Sequence, residues 1–237
     1  MRVGIMQPYF FPYVGYFSLI EYVEKFIFFD TPQYINRGWV NRNRVLKQDG
    51  TPNYITVPVK RASREIQIKD IEIADNVDWK ETIIGKLSVY KRKAPNYEGV
   101  IEFIKDILYA PDYSNLSELN CKSIIRTCDY IGLKCDFEIF SKLDIKIEQI
   151  NAPDEWALYI TKALKGDVYV NPPGGQSFFD KEKYEKENIE LQFLESNLRP
   201  YIQRIGHFVP GLSIIDVMMF CSKDEIGDIL MDYRIVR

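Results

Sequence analysis

Histidine occurs once in this sequence, at position 207, and cysteine four times, at Cys121, Cys128, Cys135 and Cys221, with no C-x-x-C pair. That excludes zinc-finger spacing and a thioredoxin-like redox pair. The expectation for all four cysteines is free, reduced, small apolar side chains in a cytoplasmic protein. No metal and no cofactor is called for. No run of 18 apolar residues exists, so no membrane span is expected. Arg2 gives the N-terminus a positive charge, but Gln7, Pro8 and Pro12 interrupt the apolar stretch that a secretory signal needs. There are no repeats and no low-complexity linker.

Acid is nearly missing from one stretch. Between Gln33 and Arg64 stand seven basic residues and one acid, Asp49, although the whole chain carries a net −3. A cationic island on an acidic protein points to a small anionic ligand. A nucleic-acid binder is more often basic throughout.

The chain has 237 residues, 46% hydrophobic and 14% aromatic, enough for a sizeable core without staples. Val3 to Gln7 reads as a buried strand, Gly15 to Val23 as a helix, and Lys25 to Asp30 as a second strand, predicting a parallel pair. Asn43 to Lys60 reads as a hairpin turning at Asp49-Gly50. Ile66 to Ile73 alternates like a further strand. Helices follow at 78–92, 98–109 and 114–131, with Ser114 as N-cap. Strands at 134–140, 167–171 and 189–195 then alternate with a helix over 153–164, and 213–230 is helical with a break near Ser222. The expected fold is a single α/β domain over 1–237. It has a Rossmann-like, mostly parallel sheet, a hairpin insertion at 33–75 and a helical insertion at 78–131.

Open parallel sheets bind ligands beyond the carboxyl ends of their strands. Three predicted strands end there in a polar residue, Gln7, Asp30 and Asn171, each followed by proline at once or after one residue. Such residues either hold a ligand or cap loop N–H groups. Residues 6–17, "MQPYFFPYVGYF", pack six aromatics and two prolines into the first connection. Tyr9, Phe10, Tyr13 and Tyr16 could stack on a base or sugar face, but Tyr16 falls on the stripe Tyr16, Leu19, Ile20, Val23 expected to face the core. Tyr9 and Tyr13 are therefore the better contacts. In "NPPGG", Gly174 and Gly175 offer unobstructed backbone N–H groups. In "INRGWVNRNR", Arg37, Arg42 and Arg44 alternate with Asn36, Asn41 and Asn43 around Trp39, forked donors suited to phosphate. His207, in a Gly/Pro-rich loop, is either a general base or a surface residue. Ser213 and Asp216 read as a helix capping box.

The segments "MQPYFFPYVGYFSLI", "FFDTPQYINRGWVNRNRV", "YKRKAPNY", "VNPPGG" and "FVPGLSIIDVMM" together resemble the WbqC-like protein family across nearly the whole chain. Two departures stand out: Thr31-Pro32 where the family more often has an acid and valine, and "MMFCSKDE" where it often has Asn-Gly. The resemblance implies a bacterial protein of O-antigen or surface polysaccharide biosynthesis. It implies transfer of a glycyl or similar acyl group to the amine of a nucleotide-linked amino-deoxy sugar, dTDP- or UDP-bound. A fainter likeness to pantothenate-synthetase-like nucleotidyltransferases lacks their two histidines.

On that reading Arg37, Arg42 and Arg44 hold the diphosphate, and Tyr9, Tyr13 or Trp39 stacks on base or sugar. Gln7, Asp30 and Asn171 position the sugar, Asn41 adds an amide beside the phosphate-binding arginines, Gly174 and Gly175 stabilise an oxyanion, and His207 or Asp30 is the base. The partners are the nucleotide-linked sugar and an activated acyl donor, a carrier-protein thioester being one form, with a homo-oligomer left open. The alternatives are an ATP-using nucleotidyltransferase or ligase at the same strand edge, and a non-enzymatic binder of anionic glycan or nucleic acid.

Overall fold

Alternation along the first strand decides how the sheet is clad. Val3 and Ile5 face one side, where they meet Ala157, Leu158, Tyr169, Tyr184, Leu191 and Phe193. Phe26, Phe28, Val170 and Leu194 belong to a larger core on the other side. Side chains of a strand point alternately to opposite faces, so a sheet apolar on both must be covered on both.

The computed structural model describes residues 1–237. Its strands are β1 (Arg2–Met6), β2 (Lys25–Phe28), β3 (Arg42–Leu46), β4 (Pro52–Thr56), β5 (Asp136–Ile139), β6 (Val168–Asn171), β7 (Glu190–Ser196) and β8 (Tyr233–Val236). Its helices are α1 (Val14–Tyr22), α2 (Trp79–Leu87), α3 (Tyr97–Leu108), α4 (Leu116–Ile131), α5 (Glu155–Ala163), α6 (Lys181–Lys186), α7 (Ile214–Phe220) and α8 (Lys223–Leu230). Six strands form one sheet in the order β5-β2-β1-β6-β7-β8. All neighbours are parallel except β7 and β8. With the hairpin set aside this is the 3-2-1-4-5-6 order of doubly wound nucleotide-binding sheets, whose direction of winding reverses between β1 and β6. The α/β fold is as the sequence indicates.

Seven successive residues of α1, Val14 to Ile20, are buried. Such a helix runs inside the core rather than on its surface. Strands β3 and β4 pair antiparallel as a separate sheet, Arg44 opposite Tyr54, with Lys47 and Thr51 closing the turn.

Four local expectations need correction. Residues 66–73 form no strand but a short 3-10 turn, Ile68–Asp70, flanked by single bridges Gln33–Gln67 and Val59–Ile73. Ile68 and Ile71 are both buried, and a spacing of three asks for a helical turn. Asn115, not Ser114, caps α4; Ser114 donates to Glu118 instead. The Pro-Pro-Gly-Gly segment winds into a 3-10 helix, Pro173–Phe178. Finally, Ser213 caps α7 alone, and the full capping box lies at Ser222 and Glu225 of α8.

Asp216 is fully buried and serves a different purpose. Its carboxylate accepts from Tyr90 Oη at 2.6 Å, Tyr201 Oη at 2.5 Å and Gln203 Nε2 at 2.8 Å. Tyr90 Oη in turn accepts the Leu46 N–H at 2.9 Å. Burial outweighs these bonds and raises the Asp216 pKa above its ordinary 3.8. The folded chain therefore holds this proton more tightly than the unfolded chain. Stability from that source is fully present below 3.8 and is lost as pH rises through the folded pKa. Urea unfolding between about pH 4 and about pH 7 should show wild type losing stability relative to Asp216→Asn as pH rises. A gap that stays constant with pH contradicts the burial account.

Candidate functional site

The carboxyl ends of β1, β2 and β6, with the start of α5, enclose a cleft of about 470 Å³. Gln7 and Tyr9 come from the β1 exit, Phe29, Thr31 and Pro32 from the β2 exit, and Asn171 from the end of β6. Trp156 of α5, Phe178, Phe179 and Gln67 also stand in the wall. No lining residue is charged. The cleft lies at the winding reversal between β1 and β6, where such sheets leave a crevice.

A smaller recess of about 210 Å³ adjoins it, lined by Tyr9, Pro12, Tyr13, Trp39, Asn43, Arg44, Leu198 and Gly211. Tyr9 belongs to both. The arginine-bearing hairpin thus faces the proline-stiffened turn: the Phe10 N–H donates to Trp39 O at 3.2 Å and Asn43 Nδ2 to Phe10 O at 3.2 Å. Gly15 makes room for the turn, since a Cβ there would stand 2.5 Å from the Tyr13 ring.

Alternation sorts the hairpin residues. Asn43 points inward and is buried. Arg42 and Arg44 share the other face with Tyr54. The Arg42 guanidinium lies 4.1 Å from the Tyr54 ring centroid, and that of Arg44 lies 5.4 Å from Trp39. Arg44 Nη2 donates to Gly211 O at 3.0 Å. The Nε atoms of Arg42 and Arg44 are buried and have no acceptor. Neither guanidinium pairs with a carboxylate, so the face keeps two uncompensated positive charges, and that of Arg44 lines the recess. Burial raises the pKa of Tyr9 and of Tyr13, so both hydroxyls keep their protons at neutral pH and can donate.

Of the residues singled out by sequence, Gln7, Tyr9 and Asn171 meet in the cleft, and Tyr9, Tyr13, Trp39, Asn43 and Arg44 in the recess. The others lie elsewhere. Phe10 and Tyr16 are core residues with no exposure. Arg37 is exposed, has a left-handed backbone, and offers its carbonyl to Arg42. Asn41 is buried and donates to Val57 O at 3.1 Å. Gly174 stands in open space, whereas the Gly175 N–H is already taken by Pro172 O at 3.2 Å. A Cβ at Gly175 would run into the Asn171 amide, so glycine there fixes where Asn171 sits.

Neither candidate base reaches the cleft. His207 is exposed on a loop beside Gly50 at the hairpin tip. Asp30 is buried, and its two oxygens accept from the Ser141 N–H at 3.0 Å and the Ser141 hydroxyl at 2.6 Å. Phe29, one residue earlier, faces the cleft in its place. Sequence reasoning missed Phe29, Thr31, Gln67, Trp156, Phe178 and Phe179. Thr31 and Phe29 flank a strand end already under suspicion, but nothing in the sequence pairs Trp156 with it.

The WbqC-like protein family model matches residues 7–228. The chain is 28% identical over 224 residues to an uncharacterized protein, Rv1507c, of Mycobacterium tuberculosis, a match covering 92% of each chain. No solved structure matches.

Asp30 acts as an anchor in this geometry. Asp30→Ala strands two donors of Ser141 and should destabilise the fold by about 1–3 kcal/mol in urea unfolding. A carboxylate engaged only with ligand would leave stability unchanged on removal.

Proposed function

We propose that this chain, which belongs to the WbqC-like protein family, binds a nucleotide-linked amino-deoxy sugar and transfers an acyl group, glycyl included, to the sugar amine. One observation carries the reading: an uncharged, ring-lined cleft meets a recess holding an arginine that no carboxylate pairs, and a single tyrosine forms the border. A nucleotide sugar has the same division, with neutral flat or hydroxylated ends and a doubly charged diphosphate between them. Trp39 and Tyr9 supply faces for stacking, Arg44 a fork for the phosphate, and Gln7, Thr31, Gln67 and Asn171 neutral partners for hydroxyls.

Amide formation from a thioester asks little of side chains. The neutral amine nitrogen attacks the carbonyl carbon, the C–S bond breaks, the thiolate leaves, and the proton lost from nitrogen ends on sulfur by way of solvent. The requirement is that the amine be unprotonated. A cleft without carboxylates disfavours an ammonium ion by desolvation and so lowers its pKa. Oxyanion stabilisation falls to the Asn171 amide, which lines the cleft and keeps one N–H free beside the one it gives to Pro172 O at 3.1 Å.

Thermal unfolding in the presence of dTDP- and UDP-linked amino sugars tests binding. A ligand at 100 times its Kd should add about 2.7 kcal/mol of stability. Arg44→Ala should weaken nucleotide-sugar binding by about 10- to 100-fold, the worth of a charge-assisted bond. A response to ATP with none to any nucleotide sugar replaces this reading with the ligase alternative.

A further inference from the structure

The basic run Lys91-Arg92-Lys93 has no part in the cleft or the recess. It lines a separate open hollow of about 560 Å³ together with Lys47 of the hairpin turn and Lys86 of α2. Five cations share this hollow and no acid lines it. None of the five lies within 4.0 Å of a carboxylate, although fifteen such pairs stud the rest of the surface. Asp49, the nearest acid along the hairpin, is turned onto Thr51.

The run is also held rigid. Tyr90 before it is buried and bonded to Asp216 and Leu46. Asn96 after it donates to Met218 O at 3.0 Å and Cys221 O at 2.8 Å. Lys86 and Lys93 reach the carbonyls of Tyr54 and Gln48, which draws their charges toward the hairpin. Like charges gathered around one hollow repel one another, and only these carbonyls and the attraction of Asp49 for Lys47 offset the cost. An anionic partner would offset it further.

We infer that this hollow docks an acidic carrier protein that delivers the acyl group as a thioester. The inference rests on the transfer reaction proposed above. Exposed lysines over an open hollow suit a negatively charged protein surface, which needs steering rather than forked recognition. No aromatic ring lines the hollow, so it lacks the stacking platform by which single-stranded nucleic acid is held, and the chain outside the hairpin is acidic. Lys47 and Arg44 stand three residues apart on one extended segment, roughly 10 Å, so the hollow and the arginine recess share the hairpin.

The test uses the full chain and a glycyl-loaded holo acyl carrier protein, with affinity read by biolayer interferometry at about 50 mM and about 500 mM salt. Lys91→Glu with Arg92→Glu is the variant, because both side chains are exposed and make no bond. Wild type should bind the carrier at low salt and lose most of its affinity at high salt. The variant should bind at least tenfold more weakly while its thermal response to a dTDP-amino sugar stays that of wild type. No carrier binding by wild type, equal binding by the variant, or tighter binding of a short RNA than of the carrier would each overturn the proposal. Absence of any nucleotide-sugar response strikes the transferase reading instead, so the two failures are distinguishable.

Discussion

The site depends on how one buried loop satisfies its own backbone. Residues 7–13 leave β1 and run under the hairpin, with Phe10 and Phe11 entirely inside the core. A buried loop must find partners for its carbonyls, because water cannot reach them. Here the partners come from four elements. Gln7 O accepts from Tyr16 of α1, Pro8 O from Asn120 of α4, Phe10 O from Asn43 of β3, Phe11 O from Ser213, and Pro12 O from the first N–H of α7. Pro8 and Pro12 have no N–H, so two donors that would also need partners are missing from the start. The helical insertion, the hairpin and the C-terminal helices are thereby tied to the ligand-binding end of the sheet through one strip of main chain.

That tie explains the division of charge. The hairpin is held against the loop by its inward residues Asn43 and Val45, so its alternate residues Arg42 and Arg44 must face away from the loop's core side. They arrive beside Trp39 and Tyr54, whose rings stabilise a cation without neutralising it. The sheet end, by contrast, receives only what the strand exits and α5 turn toward it, and none of those lining residues is charged. Tyr9 stands at the boundary because it is the last residue before the loop dives into the core.

Much of this was legible in the sequence, and the misses have physical causes. Polar residues at strand exits located the crevice through Gln7 and Asn171, because a parallel sheet leaves little else there. Asp30 failed by one position: side chains alternate, so if Phe29 faces the cleft Asp30 cannot, and β2 gives no way to tell the phase from a run as apolar as "FIFF". Asp216 was misread because S-x-x-D describes a capping box and a buried carboxylate equally well. Its partner Tyr90 stands 126 positions away, beyond any local pattern. Trp156 and Gln67 reach the cleft through tertiary packing alone. The edge strand β8, four residues with two of them charged or aromatic polar, carries too weak a signal to be read.

Asp216 then links what the loop does not. Through Tyr90 it fixes the rigid start of the basic run and, by way of the Leu46 N–H, the end of β3. Through Tyr201 and Gln203 it holds the strap over residues 198–211, whose Leu198 and Gly211 wall the arginine recess. Gln203 itself clasps Val209 by both its amide groups, donating to the carbonyl at 3.1 Å and accepting the N–H at 2.7 Å. A buried carboxylate is costly to place and costly to leave unpaired, so its three donors must stay in position together. The hollow that carries positive charge, the strand that carries Arg44 and the strap that closes the recess therefore share one fixed point. Movement of any of them strains the other two.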